Sequence, residues 1–404
     1  LSHAPLASDA GRAADRLPAV SARAVGIGLR ATLTAVALGG LYAGNWAMIA
    51  PNRLVQGDGL AAPSLLGAWA HAAALGLVAL TSSGSGRAAE LMAPIRFAGL
   101  LGLLIGMVVL TGLFGSELLA GRPAPARYMV GSGFWVFVAA LLLLLLDDAR
   151  LLRPARLALI LGFGVLAVAI ARRTGSFEAL SIMVEYRARA DVFHTALVRH
   201  LSLSCGALGV ALMLSVPLGW LAFRGRRARA VIDAGLSGIQ VVPAVALFGL
   251  LVSLLSLALG AWPRLRELGL AAIGPTPALI AVAAYLALPL TRGLAGGLAA
   301  AEPALIETAH AMGMPERRIA WEVRLPLGLP VFVAGLRVAT VQAIGLVTLG
   351  GLIGAGGLGA LVFEGMAQFA PDLIILGSAP VIAFAILSDL GLRAFELRLA
   401  RPLS

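Results

Sequence analysis

The chain has 404 residues, 60% of them hydrophobic and only 13% charged, with a formal net charge of +11. A soluble domain carries about 25% charged residues, so this composition excludes an ordinary water-soluble fold and points to an all-α polytopic membrane protein. The positive charge does not indicate nucleic acid, because the arginines lie between apolar runs instead of on one soluble face, and the alternation of a transmembrane barrel is absent.

The stretch Leu1 to Arg23 is polar and alanine-rich and contains Arg12 and Arg16. The apolar run after it is too long for a signal peptide and lacks a clear cleavage site, so it reads as a retained first span. About ten apolar segments reach the length of a transmembrane helix. The first five are Leu29–Ala50, Leu60–Ser82, Ile95–Gly115, Met129–Leu146 and Leu151–Ala171. They are rich in Gly, Ala and Leu, and residues 1–171 read as an accessory membrane region.

The acidic pair Asp147-Asp148 before Arg150 is expected at a solvated span end. Residues 172–199 carry Phe177, Leu180, Ile182, Met183 and Tyr186 among charges, the pattern of an amphipathic connector on the outer membrane surface. The last five segments are His200–Phe223, Val231–Leu259, Pro277–Ala300, Pro330–Gly350 and Leu373–Phe395. Residues 200–404 read as the working core, with Pro, Gln, Tyr and Arg inside its spans. There is no internal repeat between the halves. The single cysteine, Cys205, excludes an intrachain disulfide and is expected to pack as a small residue.

With the amino terminus in the cytoplasm and one crossing per segment, the cytoplasmic side holds about twice as many arginines as the other. Both termini then lie inside, as does a polar insert, residues 301–329, between two long apolar runs. Arg224-Gly225-Arg226-Arg227-Ala228-Arg229 ends a span as a stop-transfer anchor and suits anionic membrane lipid headgroups. Gln240 and Pro243 put an amide and a proline inside a span; the proline frees a carbonyl and kinks the helix, and the amide requires a partner or a water-filled path. Tyr285 and Pro289 share a helical face and are candidates for a gate, with Arg292 snorkelling to the interface.

The run Gly350–Gly359 lacks the Lys-Ser/Thr of a phosphate loop and serves close backbone approach and re-entry. The five histidines form no metal-ligand spacing, and no nucleophile elbow, zinc-protease motif or Walker loop is present. No catalytic residue, no metal site and no cofactor is therefore assigned to this chain, and it cannot hydrolyse ATP alone. In the insert, Glu307 to Met314 can form a short helix across the membrane face, ended by Gly313 and Pro315, with Pro326 setting a turn before the next span. A rigid helix of this kind can dock in a groove of a soluble partner and tilt the flanking spans.

The spacing Glu307-Thr308-Ala309, three residues, Gly313, nine residues, Val323, one residue, Leu325-Pro326 resembles the coupling loop of permease subunits of bacterial binding-protein-dependent ABC importers. Thr308 and Val323 replace the family's Ala and Ile. The stretch Gln240-Val241-Val242-Pro243-Ala244-Val245-Ala246-Leu247, the run Ala272–Ala278 ahead of Tyr285 and Pro289, and Gly354–Gly359 are similar to the osmoprotectant branch, whose substrates are glycine betaine, choline and carnitine.

The resemblance implies a type I importer permease core in the second half. It makes Glu307, Thr308, Ala309, Gly313, Leu325 and Pro326 the ATPase-coupling residues, and Gln240, Pro243, Phe248, Tyr285, Pro289 and Phe363 candidates for the translocation path. It also implies a cytoplasmic ABC ATPase dimer that binds ATP and Mg, a second permease subunit (a copy of this chain or a shorter homologue) and a periplasmic or lipid-anchored solute-binding protein. The five additional spans resemble the long permeases of betaine-type systems. An ABC permease for an amino acid or sulfonate, and an ion-gradient-driven secondary transporter, are the alternatives.

Overall fold

A computed structural model describes residues 22–52, 55, 57–82 and 87–400; Arg12 and Arg16 of the polar leader fall outside them. The chain divides into two compact units, Leu1–Val184 and Glu185–Ser404. Among the described residues, eight helices are long and apolar enough to cross a membrane. Each of the ten expected segments meets a helix, but the first two are shortened by a small sheet.

In the first unit, α1 (Ala22–Tyr42) leads into β1 (Asn45–Ala50) and β2 (Asp58–Ala61), followed by α2 (Ala62–Leu66) and α3 (Ala68–Ser82). Then come α4 (Arg87–Leu119), β3 (Arg127–Val130), α5 (Ser132–Ala149) and α6 (Pro154–Arg173). The unit is mostly helical, as expected of the chain, and in addition carries a small three-stranded antiparallel sheet of order β2-β1-β3.

Gly44 and Pro51 bound an apolar run too short for a span, and Trp46, Met48 and Ile49 favour extended backbone. Central β1 carries Trp46, which is fully buried. Its indole Nε1 donates to Thr111 Oγ1 at 2.9 Å, and its ring meets Phe134 and Phe137 edge-on, both at 5.3 Å. At Gly67, φ is +54°, a left-handed break separating α2 from α3.

At the helix ends away from the sheet lies a charge cluster. Arg96 of α4 donates to Asp148 Oδ1 at 2.7 Å, and Arg30 of α1 reaches Asp148 at 2.5 Å and Asp147 at 2.7 Å. The side chains of Arg96 and Asp148 are only 2% and 1% exposed. Asp148 is therefore not at a solvated span end, as its neighbour Arg150 suggests. It is the buried counter-charge for two arginines from other helices, as a desolvated carboxylate requires.

The unit boundary falls within α7 (Ser181–Ala188), the short remnant of the expected amphipathic connector. A break at Arg189 separates it from α8 (Ala190–Arg224), so residues 190–199 belong to the span helix. Then follow α9 (Arg226–Val241), α10 (Ala244–Ala261), α11 (Pro275–Leu298), α12 (Pro303–Ala311), α13 (Leu325–Leu349), α14 (Leu358–Ala367) and α15 (Pro371–Leu399). The expected segment Val231–Leu259 is two helices, parted at Val242-Pro243, because proline disfavours helical backbone in the residue before it. Cys205 is exposed on α8 and not packed as expected.

The central element is α11, packed between α8 and α13 with Ala281, Val282, Leu286 and Leu290 buried. Its approach to α13 is set by glycine. A Cβ on Gly297 would lie 2.6 Å from the Gly328 carbonyl oxygen, and one on Gly335 would lie 3.0 Å from the Gly293 Cα. Small residues at such positions let membrane helices touch backbone to backbone. Gly354, Gly356 and Gly357 all have positive φ and fold the chain back between α13 and α14, the sharp re-entry expected of the glycine run.

Candidate functional site

The polar insert folds as an arm between α11 and α13. Pro303 opens α12, where its missing N–H costs nothing. Ile306 and Ala309, three residues apart and hence on one face, are buried against Ile319. The opposite face leaves Glu307, Thr308, His310 and Ala311 exposed.

Helix α12 ends as its sequence requires. Gly313 has φ +74°, its N–H donates to His310 O at 2.9 Å, and Met314 N–H donates to Ala309 O at 3.1 Å. This is a left-handed cap with the last carbonyls satisfied. Of the residues matching the coupling spacing, Glu307, Thr308 and Gly313 are solvent-exposed, Ala309 is part of the bracing face, Leu325 is half-buried and Pro326 is exposed.

Pro326 does not set a turn. A single helical run, Glu316–Arg318, then a π-helical segment Ile319–Arg324, then α13, passes through it. The wide π turn ahead of the proline relieves its clash with the preceding turn. Residues 316–349 are therefore continuous helix, which α12 reaches across the turn at 312–315 and against which it is braced by the packing of Ile306 and Ala309 on Ile319.

The path candidates separate into two groups. Pro289 has no N–H to donate to the Tyr285 carbonyl one turn back, and Gln240 Nε2 of α9 fills that vacancy at 3.0 Å. In return, the Tyr285 hydroxyl donates to the Val242 carbonyl at the Pro243 break. Each proline interruption is thus closed by a side chain from the other helix, the arrangement that satisfies freed backbone groups inside a membrane. Gln240, Tyr285 and Pro289 are half-buried and Pro243 is exposed. Phe248 is only 2% exposed and packs in the α8–α11–α13 core. Phe363 is half-buried on α14.

Several charges in this unit are paired. Arg292, expected to snorkel, instead binds Asp233 at 3.0 Å and Ser237 at 3.1 Å. Glu364 meets Arg189 at 2.6 Å. Sequence reasoning passed over Arg337 of α13, which lies 3.3 Å from Asp389 and 3.4 Å from Glu396 of α15; charged residues within two neighbouring apolar runs were the available signal. His200 is fully buried, with its Nε2 at 3.0 Å from Ile344 O. No group of residues that could hold a metal occurs among the described residues.

Two family comparisons cover these units. Residues 212–401 match the binding-protein-dependent transport system inner membrane component family, and residues 26–183 match the N-terminal domain of the ABC transporter permease YehY. The chain is 31% identical to the carnitine transport permease protein OpuCB of Listeria monocytogenes, over 51% of this chain and 88% of that one. It is 31% identical to the choline transport system permease protein OpuBB of Bacillus subtilis, over 50% and 85%. It is 34% identical to the osmoprotectant import permease protein OsmW of Salmonella typhimurium, over 47% and 84%.

A solved structure of the MetNI methionine ABC transporter, in an inward-facing conformation, aligns with 53% of this chain and 99% of its own, at 17% identity and a TM-score of 0.47. The chain belongs to the family of binding-protein-dependent transport system inner membrane components: it is an integral membrane permease subunit of the ABC transporter class.

Proposed function

We propose that this chain forms the membrane path of an ATP-driven importer for a small osmoprotectant of the glycine betaine, choline or carnitine type. Residues 200–404 supply a type I permease core, with residues 1–171 as its accessory region and 172–199 joining them. The exposed face of α12 docks in a separate cytoplasmic ABC ATPase dimer, which binds ATP and Mg; this chain holds no cofactor. A second permease subunit completes the path, and a periplasmic or lipid-anchored binding protein delivers the solute. The orientation places α12 and both chain ends in the cytoplasm, following the arginine bias.

The observation that carries this reading is the arm itself: a short helix that presents Glu307 and Thr308 outward and is braced through Ile306 and Ala309 on Ile319, in the π segment that runs unbroken into α13. The substrate class rests on the carnitine, choline and osmoprotectant permeases to which the chain is similar. With aromatic residues only 6% of the chain, the aromatic cage that selects a quaternary ammonium belongs to the binding protein.

The test is uptake of labelled glycine betaine, choline and carnitine by cells expressing the full chain with its ATPase and binding protein. Uptake is expected to fail when ATP is depleted, to survive a protonophore while ATP is maintained, and to fall at least tenfold with Glu307→Ala. Uptake that persists without the ATPase and collapses with the protonophore would make the chain a secondary transporter.

A further inference from the structure

At the same end of the second unit as α12, a groove of about 550 Å³ opens between α8, α11 and the arm's continuation into α13. Its size is that of a small-molecule site, ~300–1,000 Å³. Pro217 and Trp220 form one wall, Leu294 and Leu298 the floor, and Trp321 and Phe332 the other wall. The lining is almost wholly apolar, so it has no use for a polar solute. Leu294 is nine residues beyond Tyr285, about half a turn around the helix. The groove therefore opens on the face of α11 opposite the clasp made by Gln240, Tyr285 and Pro289.

Its mouth has a different chemistry. The Arg224 guanidinium lies 4.9 Å from the centre of the Trp220 ring, and that of Arg324 lies 5.1 Å from the centre of the Phe223 ring. Arg324 also donates to Leu298 O at 3.3 Å, so both cations are held where the apolar lining ends. Arg226 and Arg227 stand exposed at the start of α9, just past the extended Gly225. Nearby carboxylates are already engaged: Glu322 with Arg318 at 2.8 Å, and Asp233 with Arg292 and Arg229. Trp321 is 64% exposed, although an indole is costly to leave in water and is enriched at the membrane–water interface.

We infer that this groove is a binding site for one anionic phospholipid, with an acyl chain between Trp220 and Trp321 and the phosphate at Arg224 and Arg324. Charge complementarity selects this occupant: an apolar slot alone accepts any lipid, whereas the arginine-capped mouth favours a net negative headgroup by up to about fivefold per basic residue. A bound lipid bridges α8 and the π segment at the base of the arm. The inference requires only that this end of the unit lies at a membrane interface, so it stands or falls separately from the importer reading.

The full chain is reconstituted in phosphatidylcholine nanodiscs containing equal mole fractions of either acyl-brominated phosphatidylglycerol or acyl-brominated phosphatidylcholine. The tryptophan fluorescence lost in Trp321→Phe isolates the signal of this one groove indole from the other five of the six, Trp220 among them. Brominated phosphatidylglycerol is expected to quench this component more strongly than brominated phosphatidylcholine. Arg224→Gln, at an exposed position, and Arg324→Gln, at a half-buried one, should each reduce the preference by about fivefold while quenching by brominated phosphatidylcholine persists. Equal quenching by the two lipids in the unaltered chain would mean that bulk lipid fills the groove and would overturn the inference. Absence of quenching by either would mean that protein covers it, and would overturn the inference as well.

Discussion

Asp148→Ala is expected to destabilise the amino-terminal unit by about 3–5 kcal/mol, the range for breaking a buried ion pair by removing one member. Asp148 is the shared acceptor of Arg30 and Arg96, and the Arg96 side chain is only 2% exposed. Removing the carboxylate takes from that guanidinium its acceptor at 2.7 Å. Arg30 retains Asp147 at 2.7 Å, so the loss centres on Arg96.

This origin of the loss gives the prediction a second arm. Replacing the buried pair together, Arg96→Met with Asp148→Leu, should recover most of the lost stability, since apolar residues of similar volume commonly match or exceed a buried ion pair. Thermal unfolding of the purified full chain in one detergent measures both. A fall in midpoint with Asp148→Ala and its restoration in the double variant is the expected pattern; an unchanged midpoint with Asp148→Ala would show that the charges reach water.

Gly328→Leu is expected to cost 1–3 kcal/mol or more, the range for forcing extra volume into a close-packed contact, and to abolish uptake. A Cβ at this position would run into the Gly297 backbone, which cannot yield as a flexible side chain can. Helices α11 and α13 would have to separate, and these are the spans that flank the arm. Gly296→Ala is the matched control: its Cβ would meet only Val331 at an ordinary 3.7 Å, and alanine is favoured over glycine in a helix by about 1 kcal/mol. Midpoints and uptake rates of the two variants should diverge in opposite directions. Equal tolerance would mean that the α11–α13 contact is looser than its backbone separation indicates.

What could be read from the sequence and what could not follows from the range of the interactions involved. The arm was legible because its determinants are local, Gly313 and Pro315 at the end and a fixed spacing to Leu325-Pro326, although its helix begins at Pro303 and not at Glu307 as expected. The interruption at Pro243 was legible for the same reason, although a kink was expected and a full break is found. The sheet was not legible, since β1 is a short apolar run continuous with a longer one, and periodicity cannot separate a buried strand from a helix at that length.

Asp148 was misread because its neighbour Arg150 suggested a solvated end, while its partners Arg30 and Arg96 lie 118 and 52 residues away. Phe248 was a path candidate only through the resemblance; the fold buries it in the core of the second unit. The exchange between Gln240 and Tyr285 required two distant prolines to meet. The contact of Gly297 with Gly328 joins two separate helices, so no local signal marks it.

The central claim is that the outward face of α12 docks in the ATPase. Cross-linking tests it directly. In a Cys205→Ser background, which removes the chain's single cysteine, Thr308→Cys is introduced on the exposed face of α12 and the assembled complex is treated with a short thiol–amine cross-linker. The account predicts a product joining this chain to the ATPase subunit, its yield changing when ATP replaces the nucleotide-free state, with no such product from Thr195→Cys near the opposite end of the unit. A complex that retains ATP-driven uptake but gives no ATPase product from Thr308→Cys would contradict it.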